Sequence, residues 1–235
     1  MRPQHTFVFF ISLLLGMYAS AIQAQDARPQ DTIPVKTDYY GLRVGIDLSK
    51  LVRSGLDDDY SGVEIVGDFR ISKKYYLAAE LGNEQRTTDL PNLNSTANGS
   101  YIKAGFNYNA YENWFGMNNL IYAGVRGGFS TFNQELNTYT IYTTNPLFGD
   151  DIRTETREFN DLNATWLEVQ LGIQVELFHN LYLGANLQIK RSITTKQPDG
   201  FEVLHIPGFG KTTDGSSFGV GYGYTLTYLI PIFKK

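Results

Sequence analysis

The chain has no cysteine and only three histidines, and it contains no apolar run long enough to cross a bilayer as a helix. Without cysteine there is no disulfide framework, and a lipid anchor on an N-terminal cysteine is excluded. A spanning helix needs about 18 to 20 consecutive apolar residues, so a helical membrane protein is excluded too. The chain also lacks the basic excess of nucleic-acid binders. Its formal charge is −4, which becomes −5 if Arg2 leaves with a leader. What holds the fold must therefore be backbone ladders and burial alone.

The one strongly apolar stretch is N-terminal. Arg2 precedes an apolar core from Phe7 to Tyr18, and Ala19, Ser20, Ala21 and Ala24 follow. That arrangement reads as a secretory signal peptide over residues 1–24, with cleavage after Ala24, or alternatively after Ala21. Residues 25–38 carry Pro29 and Pro34 and little apolar content, and they read as a disordered periplasmic linker. A single domain over residues 39–235 follows.

In that domain glycine and aromatics are abundant: 23 glycines, 16 tyrosines and 15 phenylalanines in the whole chain. Eight segments alternate apolar with polar or glycine, the period of a strand with two unlike faces. The first sets Leu42, Val44, Ile46 and Leu48 against Gly41, Arg43, Gly45 and Asp47. The sixth sets Leu167, Val169, Leu171, Ile173, Val175 and Leu177 against Trp166, Glu168, Gln170, Gly172, Gln174 and Glu176. Tight turns at 72–74 and 178–180 alternate with polar loops near 52–60, 85–98, 133–162 and 194–216, while the turn near 110–118 is longer. Short turns at one end and long loops at the other predict an eight-stranded antiparallel up-and-down transmembrane β-barrel. The rival is a soluble lipocalin-like barrel with its apolar face inward. Tyr39, Tyr40, Tyr75, Tyr111, Trp114, Phe115, Phe178, Tyr228 and Phe233 fall at the periplasmic strand ends, as an interfacial girdle would.

An eight-stranded barrel is just wide enough for its own side chains. The inward set would be Arg43, Asp47, Glu64, Asp68, Arg70, Glu80, Lys103, Arg126, Glu168, Gln170, Gln174, Glu176, Gln188 and Lys190. Buried charges are costly unless paired, so these residues are expected to form a structural ion-pair network across the interior.

The stretches YGLRVGIDLSKL (Tyr40–Leu51), GVEIVGDFRISKKYYLAAELGNE (Gly62–Glu84) and SYIKAGFNYNAYENWFGM (Ser100–Met117) carry a family resemblance. So do IYAGVRGGFSTF (Ile121–Phe132), KQPDGFEVLHIPGFGKTTDG (Lys196–Gly215) and YLIPIFKK (Tyr228–Lys235). Together they resemble a family of small outer-membrane barrels described as a domain of unknown function. The resemblance implies outer-membrane localisation and brings no activity. Many such barrels end in an aromatic residue read by the insertion machinery; here Lys234 and Lys235 follow Phe233.

No catalytic constellation stands out. After the leader two histidines are left, His179 in a tight turn and His205 in the last long loop, where a solvated side chain is expected. Asp214, Ser216 and Ser217 near His205 are ordinary loop company. His205–Thr212 nearly spells a phosphate loop but lacks its first glycine and the helix that should follow; its Gly-Phe-Gly reads as a loop turn. Asp57–Asp59 begins like a calcium loop, but Glu64 stands where an apolar residue is needed. The reading is thus a monomeric, non-enzymatic surface or envelope-structural barrel with no cofactor and no nucleic acid. Its partners are outer-membrane lipid, lipopolysaccharide and the barrel-insertion machinery. A lipid-modifying enzyme and a narrow pore are the alternatives.

Overall fold

A computed structural model describes residues 39–111, 119–141, 151–212 and 216–234. The leader over 1–24, the linker over 25–38, Trp114 and Phe115 lie outside the described residues. Eight antiparallel strands close into a ring: β1 (Tyr39–Asp47), β2 (Tyr60–Arg70), β3 (Tyr75–Leu90), β4 (Leu93–Asn109), β5 (Leu120–Ile141), β7 (Arg157–Phe178), β8 (Leu181–Thr195) and β11 (Phe218–Lys234). Each pairs with its neighbour along the chain, and β1 pairs with β11 to close the circle. This is the up-and-down barrel that the alternation predicts. A short strand, β6 (Asp151–Arg153), extends the sheet on β5, and β9 (His205–Ile206) with β10 (Gly210–Lys211) forms a separate small hairpin.

The strands sort their side chains as period two demands. Leu167, Val169, Leu171 and Ile173 are at least half exposed, whereas Glu168 and Gln170 are buried. The apolar face is outside, so the lipocalin-like arrangement is excluded. Outward polarity then changes along one line across the registered strands. Leu81, Ile102 and Phe129 stand side by side in the ladder, and the next outward row is Asn83, Ser100 and Thr131. Asn83 donates to the Ser100 hydroxyl across that row at 3.0 Å. At the opposite rim Tyr75 and Tyr108 pair with ring centroids 5.4 Å apart, and Phe178 and Tyr228 are exposed. Tyr40 departs from the expected girdle. It is buried inside, under the Arg70 guanidinium at 4.9 Å from its ring.

Two of the expected loops, 85–98 and 133–162, are in part continued ladder among the described residues. The β3–β4 ladder runs on to Leu90 opposite Leu93, leaving only Pro91 and Asn92 as the turn in place of a loop over 85–98. Its polar residues pair with one another, as in the Thr87–Thr96 hydroxyl contact at 3.1 Å, so no apolar face is needed to extend the sheet. The ladder between β5 and β7 likewise continues to Leu136 opposite Arg157.

The expected loop after the first strand is partly a helix, α1 (Leu48–Leu56). Asp47 ends β1 by accepting from the Ser49 amide at 2.7 Å, which caps the helix. Leu48, Leu51, Val52 and Leu56 recur at helical spacing, and Leu51, Val52 and Leu56 are exposed on the outer side. Ser49, Lys50 and Ser54 make contacts on the other face. Ser54 accepts from the Gly62 amide at 2.8 Å, and Asp47 accepts from the Tyr224 amide at 3.2 Å. The helix thereby stands in for the missing upper half of β1 and satisfies edge groups on β2 and β11 that would otherwise lack partners.

The last long loop folds back into the barrel mouth. Val203, Ile206 and Phe209 are buried against Tyr101, Phe132, Leu162, Ala164 and Trp166. Gly208 at φ +81° makes the turn, and a Cβ there would meet the Tyr101 ring at 2.5 Å. Trp166 lies edge-on to Phe209, with centroids 6.0 Å apart. It also lies flat over Gly128, where a Cβ would fall 2.1 Å from the indole. We therefore expect Gly128→Leu to displace Trp166 and destabilise the folded barrel by about 1–3 kcal/mol. Urea unfolding in detergent, followed by Trp fluorescence, measures this; an unchanged midpoint would contradict the packing.

Candidate functional site

Inside the ring the inward charges form two connected groups. The deeper one centres on Lys103, whose ammonium lies 3.1 Å from Glu64 and also pairs with Glu80. Glu80 accepts from Arg126 Nε at 3.2 Å and from Gln170 at 3.3 Å. Arg126 further donates to Asn107 Oδ1 at 2.8 Å and to the Phe106 carbonyl at 3.1 Å. Gln170 reaches Glu168 at 2.5 Å, and Lys190 lies 3.8 Å from Glu168. A cavity of about 40 Å³, room for a few waters, lies among Glu80, Arg126, Gln170, Gln174 and Gln188.

The rest of the expected inward set lies around this group. Arg43 forks onto Asp68 at 2.6 and 2.8 Å, between the rings of Tyr76 and Tyr182. Asp47 is spent on the helix cap. Gln174 donates to Thr227 at 2.8 Å. Gln188, also buried, donates to Asn186 at 2.8 Å. Arg70 and Glu176 sit at the lower rim, where Arg70 donates to the Ser72 carbonyl at 3.3 Å and Glu176 accepts from the Asn180 amide at 3.1 Å.

The second group was not foreseen. Glu84, buried in upper β3, accepts from Tyr60 and from the Gly208 amide, each at 3.0 Å, and pairs with Lys50 of α1. His205 is buried beside it, with Nε2 3.5 Å from Glu84, and is not the solvated loop residue expected. The inserted hairpin carries it inward because Val203, Ile206 and Phe209 seek the apolar interior. Among the described residues no hydrogen bond joins His205 to a serine. Ser216 instead accepts from the Phe218 amide, Asp214 lies outside the described residues, and His179 is exposed in its turn. The acidic run over 57–59 does not gather either. Asp57 takes a hydrogen bond from Arg86, which holds its carboxyl below the usual carboxylate range, and Arg53 stands 3.5 Å away. Among the described residues no cluster of three or more His, Asp or Glu side chains could hold a metal.

A family model described as a domain of unknown function, DUF6048, matches residues 5–235. The chain belongs to this family. No curated protein matches it significantly. Among solved structures it is similar to Ail, the attachment invasion locus protein of Yersinia pestis, at 8% identity and a TM-score of 0.39. That match covers 81% of this chain and 96% of the other.

In the deeper group of this DUF6048 chain the ions and amides are bonded to one another, with Lys103, Glu80 and Arg126 at the centre. Lys103 is the member whose loss strands most charge, since Glu64 and Glu80 both lean on it. We expect Lys103→Met to destabilise the barrel on the order of 3–5 kcal/mol, and the exposed Lys73→Met to stay within about 0.5 kcal/mol. Equal urea midpoints for the two variants would show that the buried pairs contribute nothing.

Proposed function

We propose that this protein is a non-enzymatic outer-membrane β-barrel, exported by a cleaved leader, whose projecting hairpins make it a surface or envelope-structural protein. The observation that carries the reading is the outward belt. On β7 it runs from Leu167 to Leu177 without a polar outward residue. Ten residue steps of about 3.4 Å, at the roughly 40° tilt of such barrels, span about 25 Å, the height of a lipid-facing band. Aqueous proteins do not leave so large a continuous apolar surface uncovered.

The end carrying α1, the Pro91–Asn92 turn and the inserted hairpin then faces outside, and the tight turns face the periplasm. Above the belt β3, β4 and β5 continue as a polar ledge that is open to partners in the lipopolysaccharide layer. The ion-filled interior and the hairpin in the mouth disfavour the pore. The lipid-modifying alternative needs a nucleophile beside His205, and among the described residues no serine is bonded to it.

Two measurements test this. Protease added to intact cells should cut only at the end bearing residues 91–92, 154–156 and 196–204, and never at the 178–180 turn. Recovery of the chain in the soluble periplasmic fraction would overturn the membrane reading outright. In planar bilayers the purified barrel should give no reproducible conductance steps, because no continuous water path crosses a side-chain-filled eight-stranded ring. Stable steps would favour the pore instead.

A further inference from the structure

A cavity of about 350 Å³ lies at the outer end of the barrel, between α1, the upper end of β11 and the inserted hairpin. Its position follows from the short first strand. Below Asp47 the wall is a continuous ladder between β1 and β11, but above it α1 replaces β1. Among the described residues α1 is bonded to β2 through Ser54, which both donates to and accepts from Gly62, and to β11 at its cap through Asp47. Beside α1 the wall has no strand ladder on either flank, since β1 pairs with β2 only as far as Ile46 opposite Ile65 and with β11 only as far as Asp47 opposite Thr225; on the β11 flank, the seam between α1 and β11, the cavity opens. At that seam the cavity lining passes to Val220 and Tyr222, whose side chains belong to the exposed apolar face.

The inner lining has an excess of cations. Lys50, Arg53 and Lys190 line it with one carboxylate, Glu84, while Asp57 stands 3.5 Å from Arg53 and Glu168 3.8 Å from Lys190, whose ammonium also donates to the Gly208 carbonyl at 2.7 Å. Glu84 is already engaged by Lys50, Tyr60 and the Gly208 amide. His205, 5% exposed, also lines the cavity, and its buried Nε2 stands 3.5 Å from Glu84 without completing a hydrogen bond to it. A burial this complete normally provides one. Positive charge and an unused polar atom inside, with apolar surface at the exit, form an amphiphilic site.

We propose that this cavity binds a single-chain amphiphile with an anionic head, the head among Lys190, Arg53 and His205 and the acyl chain leaving through the α1–β11 seam into the bilayer. The volume is at the small end of ligand pockets, which suits one head group and the first part of one chain. The proposal rests on the membrane reading above for the destination of the chain; the cavity and its charges do not depend on it.

The test uses the full mature chain in a nonionic detergent, titrated with palmitate, lysophosphatidate, hexadecanol and lysophosphatidylcholine. One-to-one binding is expected for palmitate, lysophosphatidate or both, which separates a carboxylate from a phosphate head. The uncharged alcohol and the zwitterionic lipid should bind at least about tenfold more weakly. Arg53→Gln should weaken binding several-fold. Gly221→Leu should abolish it, since a Cβ at Gly221 already approaches Gln188 Oε1 at 2.7 Å and Lys190 Cε at 3.1 Å. Heat-modifiable gel mobility checks that each variant is folded. Should Gly221→Leu fail that check, Arg53→Gln and the head-group comparison decide alone. Equal affinity for palmitate and hexadecanol, or no binding of either anionic amphiphile, would overturn the proposal. A chain that fractionates with the outer membrane yet binds neither refutes this site alone. One that is soluble yet binds palmitate refutes the membrane reading and leaves the site standing.

Discussion

Every outward leucine and valine depends on the pairing of charges inside. The Lys103 ammonium between Glu64 and Glu80 ties β2, β3 and β4 together, and Arg126 extends the tie to β5. At their level of the barrel the other face is apolar, with Leu81, Ile102 and Phe129 side by side. A slip of one residue in any ladder would carry a paired ion to the outer surface and a leucine to the interior, so register and face are decided together. The pairing gives little net stability against an apolar interior of the same shape. Its effect is on specificity, because it leaves only one arrangement of the eight strands without an orphaned charge.

Glycine makes room for this arrangement. An eight-stranded interior cannot hold a charged network and a set of large aromatics on side-chain-bearing backbone alone. Trp166 therefore lies on Gly128, Tyr101 on Gly82 and Gly208, and Tyr122 on Gly172. The upper interior closes over with a small apolar core that the inserted hairpin completes, while the ions keep to the middle. The two halves meet at Tyr101, which packs in that core and donates to Glu64 at 2.5 Å.

Periodicity made the ring legible because a two-faced strand repeats every two residues, and β1 through β11 do so with few errors. The inward set from Arg43 to Lys190 could be named for the same reason. The signals that were missed have other periods. Leu48, Leu51, Val52 and Leu56 follow a helical spacing directly behind Asp47, a good capping residue, but Leu48 also completes the strand's alternation, which masks the helix start. The upper halves of β3, β4 and β5 are polar on the outside, so their alternation has no hydropathy contrast to reveal it. Val203, Ile206 and Phe209 were the sign that the last loop returns inward, since a solvated loop has no use for three large apolar residues within seven positions. His205 and Glu84 are 121 positions apart by number, and only the return of that loop brings them together.

The seam beside α1 shows what the helix changes in an otherwise uniform wall. A strand in that place would have bonded to β2 and β11 alike, leaving the barrel equally stiff all round. A helix satisfies its own amides, so it needs only point contacts to its neighbours, and here they are concentrated on the β2 side. The apolar face of α1 continues the outward belt while Lys50 and Arg53 reach the other way. Continuity of the hydrophobic surface and access to an ionic interior are therefore compatible at this one position. Anywhere else around the ring, a gap between strands would expose unpaired backbone to an apolar surround, which costs several kcal/mol per group, on the order of 2–7. A passage between the outer apolar face and the inner charges is thus cheapest beside α1.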